Sequence, residues 1–213
     1  MRRSRLLLGD DHDIVVEGLR RILDQPEFEI AGVVSDGRSL LRAAEELQPD
    51  VIIVDITMPL LNGIEAARQI RKTNRKVIII FLTMHSDVIF ATEAFTAGAS
   101  GYVLKNSAAE ELVTAIRETL KGHTYITSSL TEAVHKGLSA RSNSWRSPLD
   151  KLTIRQREVL QLLAEGHQVK EIAVRLNVSP RTVEFHKYRI MDELNLHSVA
   201  ELSRYAVTCG IVS

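Results

Sequence analysis

The sequence predicts an α/β domain built on a parallel sheet, followed by a wholly helical domain. Three observations carry this. Strand-like and helix-like apolar periodicities alternate five times between Leu6 and Leu120. The run Val51-Ile52-Ile53-Val54 has no polar alternation and leads straight into Asp55, which fits a strand buried on both faces. From Leu152 onward no strand pattern occurs. The alternation argues for right-handed crossovers with helices on both faces of the sheet.

Taken in order, strands are expected over Leu6 to Gly9, Glu29 to Val34, Val51 to Val54, Val77 to Leu82 and Ser100 to Leu104. Helices are expected over Ile14 to Leu23, Arg38 to Leu47, Gly63 to Arg71, Val88 to Ala97 and Ala108 to Leu120, each with apolar residues near i, i+3, i+4 and i+7. Pro59 and Gly63 mark the stretch after Asp55 as a loop. After Tyr125 the composition shifts. Ser128 to Leu138 suits a short helix, and residues 139–148 have the Ser-rich character of a linker. Trp145 lies inside that linker and suits local packing or a contact between domains. The domains are therefore read as 1–122, a linker over 123–148, and 149–213. In the last of these, Thr153 with Gln156 forms a capping box opening a helix that Gly166 ends. A helix over Val169 to Leu176, the turn Asn177-Val178-Ser179-Pro180, a longer helix from Arg181 to about Leu194 and another over Ser198 to Val207 complete a helix-turn-helix arrangement.

Composition narrows the class. The chain has 213 residues, 45% of them hydrophobic, enough for two well-formed cores. No apolar run approaches the roughly 20 residues that span a bilayer, and Leu6-Leu7-Leu8 after the basic start is too short for a signal-peptide core, so a cytoplasmic protein without a membrane partner is expected. Cys209, the single cysteine, permits no internal disulfide, in keeping with a reducing compartment. Residues 1–125 carry 15 Lys/Arg against 18 Asp/Glu, whereas residues 151–213 carry 9 against 7. So small a positive excess does not by itself indicate nucleic acid.

The strand ends hold the chemistry. Asp10 and Asp11 follow the first strand, Asp55 the third, Thr83 the fourth and Lys105 the fifth. If the first and third strands are neighbours, three carboxylates converge, and they repel unless protonated or neutralised by a cation. Oxygen donors with room for water suit Mg²⁺. Asp55 could then act as a nucleophile toward a phosphoryl group, with Thr83 as hydroxyl donor and Lys105 as countercharge. Singly, each of these residues is as easily a cap or a solvated charge. Together they form a specific pattern.

Residues 1 to about 121 resemble the receiver domain of bacterial two-component response regulators, in Asp10-Asp11, Asp55 before Met58-Pro59 and Asn62-Gly63, Thr83 and Lys105. Leu152 to Val207 resembles a LuxR-type helix-turn-helix domain, in Arg157-Glu158-Val159-Leu160, Lys170-Glu171-Ile172-Ala173 and Ser179-Pro180-Arg181-Thr182-Val183-Glu184-Phe185-His186. Together they resemble the NarL/FixJ class, which implies a flavodoxin-like receiver followed by a four-helix DNA-binding domain. The resemblance implies a transcription regulator rather than an enzyme, phosphorylated on Asp55 by a sensor histidine kinase and acting as a homodimer on double-stranded DNA. It also implies Mg²⁺ held by Asp11, Asp55 and the main-chain carbonyl of Thr57, with Asp10 acting through water. Lys105 would pair with the phosphoryl group, and Thr83 moving toward it would draw Tyr102 inward.

Two departures from the family pattern stand out. Asn106 replaces the proline often found after the lysine, so the cis peptide common there is not assumed. Met84 is bulkier than the usual small residue, which suggests a narrowed path to Asp55 and slow phosphate loss, with Thr57 and His85 tuning water access. On the third helix of the DNA-binding domain, Val183, Ile190 and Leu194 form an apolar stripe. Arg181, Thr182, Glu184, Phe185 and Tyr188 lie toward DNA, and Lys187 and Arg189 grip phosphates. Val199, Leu202 and Ala206 form a stripe that resembles a dimerisation helix, with packing inside the domain as the rival use. Two other readings stay open. An aspartyl phosphatase would need a second acid where Thr57 stands, and a phosphorylation-independent transcription factor would use the receiver only for dimerisation or sensing.

Overall fold

The structure is a computed structural model that describes residues 2–134, 136 and 151–212. The chain divides into two compact units, Met1–Ser142 and Asn143–Ser213.

The first unit holds strands β1 (Ser4–Gly9), β2 (Phe28–Val34), β3 (Val51–Val54), β4 (Ile78–Thr83) and β5 (Gly101–Leu104). Between and after them come helices α1 (Asp13–Ile22), α2 (Gly37–Leu47), α3 (Gly63–Thr73), α4 (Val88–Thr96) and α5 (Ala108–Leu120). The strands are parallel, in the order β2-β1-β3-β4-β5, with a sixth, β6 (Tyr125–Ile126), beside β5. The chain winds one way from β1 to β2 and the other way from β3 onward, so a crevice opens at the carboxyl ends of β1 and β3. All four residues of β3 are buried, as an unbroken apolar run requires. One core layer, with Leu7, Ile52, Phe81 and Tyr102, lies on one sheet face; the other, with Leu8, Ile53, Ile80 and Val103, lies on the opposite face.

Strand β6 lies within the stretch expected to be linker. Two residues are too few for periodicity to reveal. It is tied to β5: the Thr127 amide donates to the Tyr102 carbonyl at 2.9 Å, and the Leu104 amide donates to Thr127 Oγ1 at 3.2 Å. Leu130 and Val134 then join the core around Tyr102. A 3-10 turn over Ser128–Leu130 is followed by helical residues 131–134. Residue 136 is helical as well; the other residues of the expected short helix, the Ser-rich segment and Trp145 lie outside the described residues.

The loop after Asp55 is clamped from two sides. A Cβ on Gly63 would stand 2.0 Å from the Asp55 carbonyl oxygen, and one on Gly37 would stand 1.8 Å from that of Leu61. Between them Leu60 adopts φ +67, an unfavourable conformation for leucine. Asn62 caps α3 by accepting from the Glu65 amide at 2.9 Å. The Asp55 side chain is thus held by backbone packing on a loop with little room to relax.

The second unit is helical throughout its described residues: α6 (Ile154–Ala164), α7 (Val169–Leu176), α8 (Pro180–Leu194) and α9 (Val199–Thr208). Thr153 and Gln156 form the expected capping box, and Gly166 at φ +86 ends α6. Ser179 caps α8 through the Thr182 amide, with Pro180 in the first turn. Gly63→Ala is expected to cost about 2 kcal/mol in urea unfolding because the new methyl meets backbone rather than a yielding side chain. Gly18→Ala on α1, where nothing lies within 4 Å, is the control expected to be neutral or slightly stabilising.

Candidate functional site

Strand register builds the receiver site. Gly9 pairs with Val54, so Asp10 and Asp55, one residue beyond each, emerge side by side. Thr83 pairs with Leu104, which places Lys105 one residue further along the same edge. The Lys105 ammonium reaches back to bridge both carboxylates, with Nζ 2.6 Å from Asp55 Oδ2 and 2.8 Å from Asp10 Oδ2. Burial alone would lower the Lys105 pKa, but the hydrogen bonds to Asp10 and Asp55 outweigh it, and the net shift is upward. The other Asp55 oxygen, Oδ1, accepts the Ile56 amide at 2.6 Å.

Ligand atoms of Asp10, Asp11, His12 and Asp55 all lie within 4.8 Å of one another. Three carboxylates make a hard oxygen donor set, and the residues present therefore fit a divalent cation such as Mg²⁺. His12 was not expected here. Its Nδ1 stands 3.2 Å from Asp10 Oδ1 and 3.1 Å from Asp11 Oδ1. The only signal in the sequence was its place inside Asp10-Asp11-His12-Asp13.

Thr83 and Tyr102 are fully buried. The Tyr102 hydroxyl donates to the His85 carbonyl at 2.8 Å, and the His85 amide donates to Thr83 Oγ1 at 3.3 Å. Tyr102, expected to be drawn inward as Thr83 moves toward the phosphoryl group, already lies inside, where the His85 carbonyl meets its hydroxyl. Burial, helped by the charges of Asp55 and Asp87, raises its pKa and keeps it a donor. The His85 ring bonds Thr57 Oγ1 through Nε2 at 2.9 Å and lies against Phe90 with ring centroids 4.3 Å apart. Burial lowers the His85 pKa despite the opposing charge of Asp55, so the ring is neutral at pH 7. Met84, expected to narrow the path to Asp55, is 71% exposed. No cis peptide occurs among the described residues, and Lys105–Ser107 forms a 3-10 turn.

In the helical unit, Val183 and Ile190 are buried on one side of α8, while Arg181, Glu184, Phe185, Tyr188 and Arg189 are exposed. Thr182 is partly covered and bonds Ser179 at 2.8 Å, which gives it a capping role. Lys187 places its ammonium 4.7 Å from the Tyr188 ring centroid. Leu202 and Ala206 are not free for dimerisation. Both are fully buried, since α9 packs this side on its own domain, and Val199 and Val207 remain its large exposed apolar residues.

Residues 6–117 match the family described as response regulator receiver domain, and residues 150–206 match that described as bacterial regulatory proteins, luxR family. The chain is a two-component response regulator of the LuxR family. Its relatives are transcriptional regulators rather than enzymes, and response regulator UvrY of Escherichia coli K12 is 33% identical over 207 residues, covering 97% of this chain and 94% of that protein. Among solved structures, RcsB from Salmonella enterica serovar Typhimurium, bound to a promoter in the presence of phosphomimetic BeF3−, is 27% identical with a TM-score of 0.62, covering 99% of this chain and 100% of that one. A structure of two RcsB dimers bound to two parallel DNAs is 28% identical with a TM-score of 0.60, covering 97% and 99%. The regulator is thus a DNA-binding protein with an acidic receiver site.

In the regulator, Lys105→Met would leave two adjacent buried carboxylates without their countercharge. The expected result is a loss of about 3 kcal/mol in unfolding free energy at pH 7 without divalent cations. Mg²⁺ should then raise the melting temperature of the variant more than that of the parent.

Proposed function

We propose that Asp55 is the phosphoacceptor of the regulator and that phosphorylation controls its binding to DNA. The bridge from Lys105 to Asp10 and Asp55 carries the reading, since two carboxylates and an ammonium lie together at one crevice, as a phosphoacceptor and its countercharge require. A carboxylate oxygen of Asp55 attacks the phosphorus of a phosphohistidine on a sensor kinase. The new P–O bond forms as the P–N bond breaks, and the departing imidazole takes its proton from solvent. Lys105 then transfers its ion pair from Asp55 to the phosphoryl oxygens, with the Thr83 hydroxyl as a second donor. Asp10, Asp11, Asp55 and the Thr57 carbonyl are the residues that would hold Mg²⁺. When bound, Mg²⁺ supplies positive charge that offsets the charge on the transferring oxygens.

On the DNA side, α8 enters the major groove with Glu184, Phe185 and Tyr188 toward the bases and Arg181, Lys187 and Arg189 toward phosphates. The exposure of Arg181, Glu184, Phe185, Tyr188 and Arg189 opposite buried Val183 and Ile190 supports the reading. The small charge excess of residues 151–213 favours two copies acting together on paired half-sites, as in the RcsB dimers on DNA. Phosphorylation would promote that homodimer, with Val199 and Val207 the apolar residues that α9 has left to offer. No helix among the described residues is long and apolar enough to cross a membrane, and we place the regulator in the cytoplasm with its operator.

A second reading, that DNA binding does not depend on phosphorylation, has one observation in its favour. Tyr102 occupies the inward position in the unmodified chain. Intact mass after incubation with Mg²⁺ and acetyl phosphate, paired with DNA binding of the same samples, separates the two. A single phosphoryl adduct on the parent and none on Asp55→Asn, with tighter DNA binding only where the adduct forms, is expected. Undiminished binding without an adduct would support the second reading. Lys187→Ala is expected to weaken binding to every duplex about equally and to reduce its salt dependence by about one phosphate contact; loss on one operator alone would contradict its role.

A further inference from the structure

Thr127 stands where the chain leaves the sheet. Rungs between β6 and β5 run from the Tyr125 amide to the Ser100 carbonyl at 3.1 Å and from the Thr127 amide to the Tyr102 carbonyl at 2.9 Å. In a parallel ladder the next rung would join the Leu104 amide to the Thr127 carbonyl. That carbonyl instead accepts the Leu130 amide at 2.9 Å as the 3-10 turn begins. The Thr127 hydroxyl takes its place and accepts the Leu104 amide at 3.2 Å. Its one proton goes to Glu111 Oε2 at 2.7 Å, which leaves a lone pair for Leu104. The buried hydroxyl thus joins the last residue of β5 to the first turn of α5.

The chain between those two points is short, running from Leu104 through the 3-10 turn Lys105–Ser107 to Glu111. The bridge through Thr127 closes it into a ring, and Lys105 is a member of that ring. Its ammonium lies 2.6 Å from Asp55 and 2.8 Å from Asp10, and its side chain is only 8% exposed. A backbone shift of about 1 Å would stretch both contacts past hydrogen-bond length, with little room for the side chain to compensate. We infer that Thr127, oriented by Glu111, is a positioning residue for Lys105: it sets where the ammonium meets Asp55. Its consequence for phosphoryl transfer rests on Asp55 being the phosphoacceptor.

The test uses the full-length regulator with Thr127→Val, which keeps the branched shape and loses the hydroxyl, and Thr127→Ser, which keeps the hydroxyl. With Mg²⁺ and acetyl phosphate, followed by intact mass, Thr127→Val should form the adduct about fivefold more slowly than the parent, the equivalent of one net hydrogen bond, and Thr127→Ser should restore most of the rate. Glu111→Ala, at a half-buried position, should slow it in the same sense by about twofold, and carries the test should Thr127→Val fail to fold. Mg²⁺ alone should raise the melting temperature of Thr127→Val more than that of the parent, because the carboxylates have lost part of their countercharge. In a Lys105→Met background Thr127→Val should add nothing to either readout. Slowing of equal size in that background, or parent-like behaviour of Thr127→Val, would overturn the inference. Absence of an adduct on every protein would overturn Asp55 as the phosphoacceptor; the Mg²⁺ shift would then decide the placement of Lys105, and a parent-like shift would overturn that as well.

Discussion

The ion pair from Lys105 to Asp10 and Asp55 is the contact on which the receiver depends. Three strands end at this crevice, and each brings a charge that water would otherwise solvate: Asp10 after β1, Asp55 after β3 and Lys105 after β5. Two buried carboxylates at this distance repel strongly in a medium of low dielectric, and the shared ammonium makes their burial tolerable. The same arrangement makes the site responsive. A cation or a phosphoryl group arriving at Asp55 competes for partners that are already in place, so the rest of the site can answer by exchanging ion pairs. The loop clamped by Gly37 and Gly63 keeps Asp55 aligned while that exchange occurs.

From this crevice two connections run outward. One passes from Thr83 through the His85 backbone to the Tyr102 hydroxyl, and from the His85 ring to Thr57, so four residues around Asp55 are joined by hydrogen bonds. The other follows β5 into β6, where Thr127 bonds both the Tyr102 carbonyl and the Leu104 amide. The strand that carries Tyr102 and leads into Lys105 is therefore tied directly to the segment that follows α5. In the DNA-binding unit the same economy appears in α8, whose buried stripe leaves its charged and aromatic side chains free.

Much of this was legible in the sequence, for physical reasons. Unbroken apolar runs identified the buried parallel strands, and the strand-end positions of Asp10, Asp55, Thr83 and Lys105 followed once their order was assumed. The Thr153–Gln156 capping box and Ser179-Pro180 were readable because caps act locally. What escaped depended on three-dimensional packing. Strand β6 is too short for periodicity and exists only because β5 offers a free edge. Tyr102 could not be called fully buried until its hydroxyl had a partner, and Leu202 and Ala206 left dimerisation and packing within the domain both open because periodicity marks an apolar face without saying what covers it. His12 gave no spacing signal beyond its acidic neighbours.

A double-mutant cycle between Lys105→Met and Asp55→Asn, read by urea unfolding at pH 7 without divalent cations, tests the central claim most directly. If the ammonium neutralises the strand-end carboxylates, removing the Asp55 charge should recover part of what Lys105→Met loses, with a coupling of about 2 kcal/mol. Additive losses would show that the bridge does not hold the site together, and the account of an ion pair exchanged on phosphorylation would fail with it.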